Sequence, residues 1–260
     1  MQTERLIVSR DGGVMRITLN RPAKRNAIDM QTCIELHEAF ERFDTDADLR
    51  VVLLDAAGPV FCAGADLSER QGKGADWVMA RRKAAFRAYA AIEACRKPVV
   101  ALAHGAVVGS GGEIVLACDF AIAADTATFR FPEPQWGTVG ATQRLQRAIG
   151  RRSAKELLFT GRAMAADEAL TRGLVARVVA ADALAPTGDE VAAGIAAAPA
   201  LAIELTKQAM NLGAGTDLEN AIRIEQLAIA RNLEAGDWRD GVARFAARAS
   251  HDPDAGPDQQ

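Results

Sequence analysis

Lys97-Pro98-Val99-Val100-Ala101-Leu102-Ala103-His104-Gly105-Ala106-Val107-Val108-Gly109-Ser110-Gly111-Gly112-Glu113 is the stretch from which the rest of the chain is read. Pro98 to Leu102 is a short, uninterrupted apolar run, as a strand buried on both faces requires. The glycines that follow permit a sharp turn and a close approach of backbone, and a helix then runs through about Cys118. The first N–H groups of that helix have no intrahelical acceptor, and its dipole adds partial positive charge there. Such a place suits a developing oxyanion, and Glu113 stands in the first turn beside it. A plainer alternative stays open for this stretch alone: the glycines let the helix pack closely, and Glu113 is a favourable first-turn charge.

Working outward, Val51-Val52-Leu53-Leu54 reads as a second buried strand, and Phe61-Cys62-Ala63-Gly64-Ala65-Asp66-Leu67 follows it. By itself that segment is a strand-ending turn like many others. The glycine- and charge-rich residues Ser68 to Asp76 have the composition of a mobile loop. Upstream, Leu6–Ser9 and Val14–Leu19 flank Asp11-Gly12-Gly13, a hairpin signal. Asp29 is placed to cap a helix carrying Cys33, Leu36, Phe40 and Phe43. A further helix covers about Trp77 to Ala94, whose aromatic residues Trp77, Phe86 and Tyr89 either fill the core or line a pocket. Asp119 to Ala124 is extended again, and Pro132-Glu133-Pro134 makes a rigid loop. Repeated strand, loop and helix units indicate an α/β layered core.

Past Gly137 the pattern turns helical. Ser153 with Glu156, and Thr216 with Glu219, have the spacing of capping boxes. Val175 to Val179 is expected to be a last strand, and Ala181 to Ala198, with Pro186 and Gly188, a link to terminal helices. Two parts are expected, residues 1–198 and 199–260. Leu201, Leu205, Met210, Leu218, Ile222, Leu227, Leu233 and Phe245 are more apolar residues than a lone helical tail hides. His104 reads as a hydrogen-bonding turn residue and His37 as a helix-surface residue.

The 260 residues carry a formal net charge of −3 and are 49% hydrophobic. That balance speaks against a dedicated nucleic-acid binder. Cys33, Cys62, Cys95 and Cys118 show neither a CxxC pair nor metal-ligand spacing, which fits reduced thiols in the cytoplasm and no metal site. The N-terminal residues lack a signal-peptide core, and no apolar run is long enough to span a membrane.

The two loops, in this order and with what surrounds them, resemble the crotonase superfamily of enoyl-CoA hydratases and isomerases. The match continues through Phe131-Pro132-Glu133, Gly137-Thr138, Thr142-Gln143-Arg144-Leu145, Leu158-Phe159-Thr160-Gly161-Arg162, Asp167-Glu168-Ala169-Leu170 and Gly173-Leu174-Val175. The resemblance implies a spiral of repeated ββα units with a C-terminal helical trimerisation module, hence a homotrimer or homohexamer. It also implies an acyl-CoA thioester as substrate, with no resident cofactor because coenzyme A is part of the substrate.

The resemblance further implies roles for particular residues. The backbone N–H groups of Ala65 and Ser110 would form an oxyanion hole, Ser110 standing where the family has glycine. Glu113 would activate water and Glu133 deliver a proton in the hydration of a 2-enoyl thioester; an isomerase or decarboxylase is the alternative on this scaffold, and a non-catalytic CoA- or RNA-binding relative a further one. Lys24, Arg25, Ala63, Asp66, Leu67 and Arg248 would contact coenzyme A. Only Val139-Gly140-Ala141 joins Thr138 to Thr142, about three residues shorter than is common in the family, and Trp136 adds a bulky ring nearby. Both features are expected to reshape the acyl pocket.

Overall fold

The computed structural model describes residues 3–236, 238–239 and 241–243. Strand β1 (Leu6–Asp11) pairs antiparallel with β2 (Val14–Leu19), in a register from Leu6↔Leu19 to Asp11↔Val14. The two-residue turn uses Gly12 at φ +53, a conformation glycine adopts without strain. Alternation along β2 buries Met15, Ile17 and Leu19 on one face. Helix α1 (Met30–Asp44) begins where the Asp29 carboxylate accepts the Thr32 N–H at 2.7 Å, and it buries Cys33, Leu36, Phe40 and Phe43. The expected cap and the expected face are both found.

Strand β3 (Val51–Ala56) then lies parallel to β2, and helix α2 (Ala75–Ala94) leads to β4 (Val99–Ala103), parallel to β3. Short β5 (Ala106–Val108) precedes α3 (Ser110–Ala117), which returns the chain to β6 (Phe120–Ala124) beside β4. After β7 (Thr128–Arg130) come α4 (Thr142–Ile149), α5 (Arg151–Thr160), β8 (Ala163–Ala165) and α6 (Ala166–Thr171). The sheet then gains β9 (Arg177–Val179), followed by α7 (Leu184–Ala196).

Among the described residues the strands form a six-stranded sheet in the order β1-β2-β3-β4-β6-β9 and a three-stranded sheet β5-β7-β8. From β2 onward the larger sheet is parallel, so its middle strands are covered on both faces. Val51–Leu54 and Val99–Ala103 are buried throughout, which is why they read as unbroken apolar runs. This is the mixed α/β spiral expected of the crotonase fold.

Two compact units divide the chain at 194/195, where the sequence suggested 198/199. In the second unit α8 (Ala200–Gly213) packs on α9 (Leu218–Ala235). Met210 (70% exposed), Leu218 (76%) and Leu227 (72%) leave an apolar surface on this pair. Phe245 and Arg248 lie outside the described residues.

Three local expectations are corrected. Ala181–Ala198 is mostly helix rather than a link. Pro186 falls in the first turn of α7, where no N–H is needed, and Gly188 stands where a Cβ would meet the Leu102 side chain at 2.6 Å. Ser153 is not a cap: α5 starts at Arg151 after Gly150 at φ +79, and the Ser153 hydroxyl instead accepts from Arg172 at 2.7 Å. The cap of α9 is Asp217 rather than Thr216, its carboxylate accepting the Asn220 N–H at 3.0 Å. Among the described residues no helix is long and apolar enough to cross a membrane.

Candidate active site

The two glycine loops meet. The Cys62 N–H donates to Ala106 O at 3.1 Å, and the Val108 N–H donates to Cys62 O at 2.9 Å. Gly64, at φ +99, carries the first loop so close to the second that a Cβ would lie 3.3 Å from Val108 O. Gly109 takes φ +48 and ψ −107, and a Cβ there would meet Glu133 Oε1 at 2.9 Å. A Cβ at Gly111 would sit 2.6 Å from Cys62 Cβ, and one at Gly112 would sit 2.4 Å from the Phe131 ring. Ser110 is the position of this run whose side chain has room. Its hydroxyl lies near that of the buried Tyr89 on α2.

Ser110 is the first residue of α3, so its N–H has no intrahelical acceptor. The Ala65 N–H likewise has no acceptor among the described residues. Both residues line one cavity of about 90 Å³, together with Gly64, Gly109, Glu133 and Trp136. Two unspent donors on separate loops therefore border a space that also holds a carboxyl group. Cys62 at the junction is structural: burial pushes its thiol up to about 12.

The carboxyl groups differ in their surroundings. Glu113 (6% exposed) accepts the Ala141 N–H on Oε1 at 2.6 Å and pairs through Oε2 with Arg144 at 3.2 Å. Arg144 is held in turn by Glu93, at 2.7 Å, and by the Tyr89 ring. Glu133 (9% exposed) borders the cavity, and its Oε2 is buried with no hydrogen-bond partner among the described residues. Burial pushes the Glu133 carboxyl above the usual carboxylate range; the Glu113 charge adds to the shift and Arg82 opposes it.

The short loop after Thr138 is what ties the pair together. Gly140 packs so tightly that a Cβ would lie 2.8 Å from Glu133 Cγ, and Ala141, at φ +55, turns its N–H onto Glu113. Its Thr138 accepts from Arg82 at 2.6 Å. Of the α2 residues, Arg82 lines the cavity, as does Arg70 from the preceding turn, while Trp77, Phe86 and Tyr89 do not. Arg70 and Arg82 carry no signal of their own in the sequence, and Arg144 stands in a matched motif without a role assigned to it. An arginine on a helix reads as surface charge until the tertiary structure turns it inward.

The residues expected near coenzyme A are brought together only in part. The Ala63 N–H donates to Arg25 O at 2.9 Å, which lays the exposed Lys24–Arg25 turn along the first loop. Ala63 and Leu67 border the cavity. The Asp66 carboxylate is engaged by Arg21 at 3.1 Å and by the Ser68 hydroxyl at 2.6 Å, so it shapes the turn after the first loop. His104 Nε2 lies 3.0 Å from Gly58 O, the turn contact expected of it, and His37 faces Glu41 on α1. Among the described residues no group of three His, Cys, Asp or Glu side chains is placed to hold a metal ion.

The sequence pattern of the family described as enoyl-CoA hydratase/isomerase matches residues 9–252. YngF of Bacillus subtilis is 38% identical over 233 residues, 88% of this chain and 90% of that protein. The short-chain-enoyl-CoA hydratase of Clostridium acetobutylicum is 34% identical, over 94% of this chain and 95% of that one. The crystal structure of an enoyl-CoA hydratase from Bacillus anthracis superposes with a TM-score of 0.92 at 34% identity, covering 94% of this chain and 97% of that one. The paired glycine loops, the strand order and the match along nearly the whole chain place it in the enoyl-CoA hydratase/isomerase family.

Proposed function

We propose that this chain adds water, in a syn sense, across the double bond of a 2-enoyl-CoA thioester, and catalyses the reverse. The observation that carries the reading is one cavity bordered by two unspent N–H donors and a buried carboxyl of raised pKa. The thioester oxygen would lie between the Ala65 and Ser110 N–H groups. Glu113, oriented by Ala141 and Arg144, takes a proton from water as its oxygen bonds to C3. The π electrons pass to the thioester oxygen as an enolate, and protonated Glu133 delivers the proton to C2 as the carbonyl re-forms. Each donor at the oxyanion contributes about 10²-fold or more to such a rate. The same burial that raises the Glu133 pKa favours its protonated form and so suits the donor role.

A second reading has its own observation. Both Glu113 oxygens are engaged, by Ala141 and Arg144, while Glu133 alone borders the cavity. A proton shuttle on Glu133 alone would make the chain an enoyl-CoA isomerase. Absorbance-monitored turnover of a panel of enoyl-CoA thioesters, comparing wild type with Glu113→Gln and Glu133→Gln, decides between the two. Hydration requires both carboxyls; loss with Glu133→Gln alone favours isomerisation, and full activity in both variants removes either mechanism.

In this reading coenzyme A is part of the substrate and no resident cofactor takes part. The exposed apolar residues of α8 and α9 support a homotrimer, or a homohexamer built from two, which light scattering on the eluting protein measures. Four free cysteines, all buried, support a reducing compartment such as the cytoplasm.

A further inference from the structure

The cavity beside Glu133 is lined by two arginines, Arg70 and Arg82. Arg82 spends one N–H on the Thr138 hydroxyl. Arg70 has no ion-pair partner among the described residues, and the neighbouring charges acting on it are the cations Arg82 and Arg81. Arg81, by contrast, is buried against Ile28 O and Glu69, so it is already engaged. Glu133 borders the same cavity and its charge acts on Arg82, but no carboxylate acts on Arg70, so a pocket built only for a hydrocarbon tail leaves these two neighbouring cations one counter-charge short. An anion between them supplies that charge, and a guanidinium fork matches a carboxylate in shape.

We propose that the acyl chain of the substrate ends in a carboxylate, held by Arg70 and Arg82. The inference rests on the reading of this cavity as an acyl-CoA site and names the class of acyl group. The cations border the same space as the Ser110 N–H and Glu133, so they face the acyl end; the pantetheine arm keeps the CoA phosphates far from the thioester. The cavity is small, about 90 Å³, which suits a short chain with its charge a few carbons from the thioester. Trp136 adds apolar surface for the intervening carbons.

Titration calorimetry on the full chain with two saturated, non-reacting thioesters tests this apart from catalysis. One is the CoA monothioester of pentanedioic acid; the other is 5-methylhexanoyl-CoA, which has the same branched end without the charge. The acid is expected to bind about tenfold tighter or more, the range of a charge-assisted hydrogen bond. In Arg70→Gln the ratio of the two affinities should fall toward one, and Arg70→Lys should retain part of it. A ratio read within one protein is insensitive to how much of that protein is folded. Equal affinities in the wild type overturn the proposal. So does an Arg70→Gln variant that weakens both thioesters alike with the ratio intact, because Arg70 would then serve coenzyme A itself. If the acid is preferred yet the matching 2-enoyl thioester, pent-2-enedioyl-CoA, is not hydrated, the hydration reading fails and the carboxylate site stands.

Discussion

Replacing Gly111 by alanine places a methyl group 2.6 Å from Cys62 Cβ and 3.1 Å from both Cys62 O and Sγ. Carbon atoms in good contact stand at least about 3.5 Å apart, so the start of α3 and the first loop must separate by about 0.9 Å. Neither side yields easily, since Cys62 is buried and its backbone is bonded to Ala106 and Val108. Ser110 precedes the new methyl directly and Ala65 follows Cys62 closely, so the two donors are displaced relative to each other. Overpacking of this kind costs roughly 1–3 kcal/mol of stability. A misplacement of about 1 Å at reacting groups costs roughly 10²-fold in rate. The assay is kcat/KM for hydration of but-2-enoyl-CoA, corrected for the folded fraction from a urea melt of the same preparation. Gly188→Ala is the control: its Cβ meets the Leu102 side chain at 2.6 Å, away from the cavity, so its effect belongs in the melt. A folded Gly111→Ala enzyme with unchanged kcat/KM would refute the claim that these two loops share a catalytic task.

Ser110→Pro tests the donor at the same loop without breaking the helix, because proline is accepted at the first helical position. Its kcat should fall by about 10²-fold or more, while Ser110→Ala, which keeps the N–H and loses only the contact to Tyr89, should fall far less. Glu133→Gln should raise the melting temperature near neutral pH, since it removes a buried carboxylate whose Oε2 is unpartnered. The sign follows from linkage: a carboxyl whose folded pKa is raised costs stability above that pKa, and the cost is gone below the unfolded value of about 4.3. Thermal melts of both proteins across that range should therefore show the gain shrinking as the pH falls. A gain that grows on acidification would contradict the assignment.

The sequence made the loops legible because glycine is where backbone constraint shows most directly. Gly64, Gly109, Gly111 and Gly112 each stand where a side chain is excluded, by positive φ or by a neighbour under 3 Å away. Buried strands such as Val99–Ala103 and the Asp29 cap were equally readable, since each depends on local pattern. What could not be read was convergence. Arg70, Arg82 and Arg144 come from three segments, and only the fold decides that two of them border the cavity with Glu133 and the third pairs with Glu113. Ser110 departs from the family's glycine, and its neighbour Tyr89 lies on a different element, which local pattern does not reveal. The helix at Leu184–Ala196 was hidden by Pro186 and Gly188, residues that break helices in general but are harmless in a first turn and against Leu102.

The central claim, that N–H groups from both loops bear on one carbonyl oxygen, is open to direct measurement. Isotope-edited infrared difference spectra of a bound thioester, labelled with ¹³C at the carbonyl, report the hydrogen bonding at that oxygen alone. Two backbone donors polarise the bond, so the carbonyl band should move to lower frequency on binding, and less far in Ser110→Pro. A band that stays at its frequency in water, in a complex that is fully formed, would contradict the account.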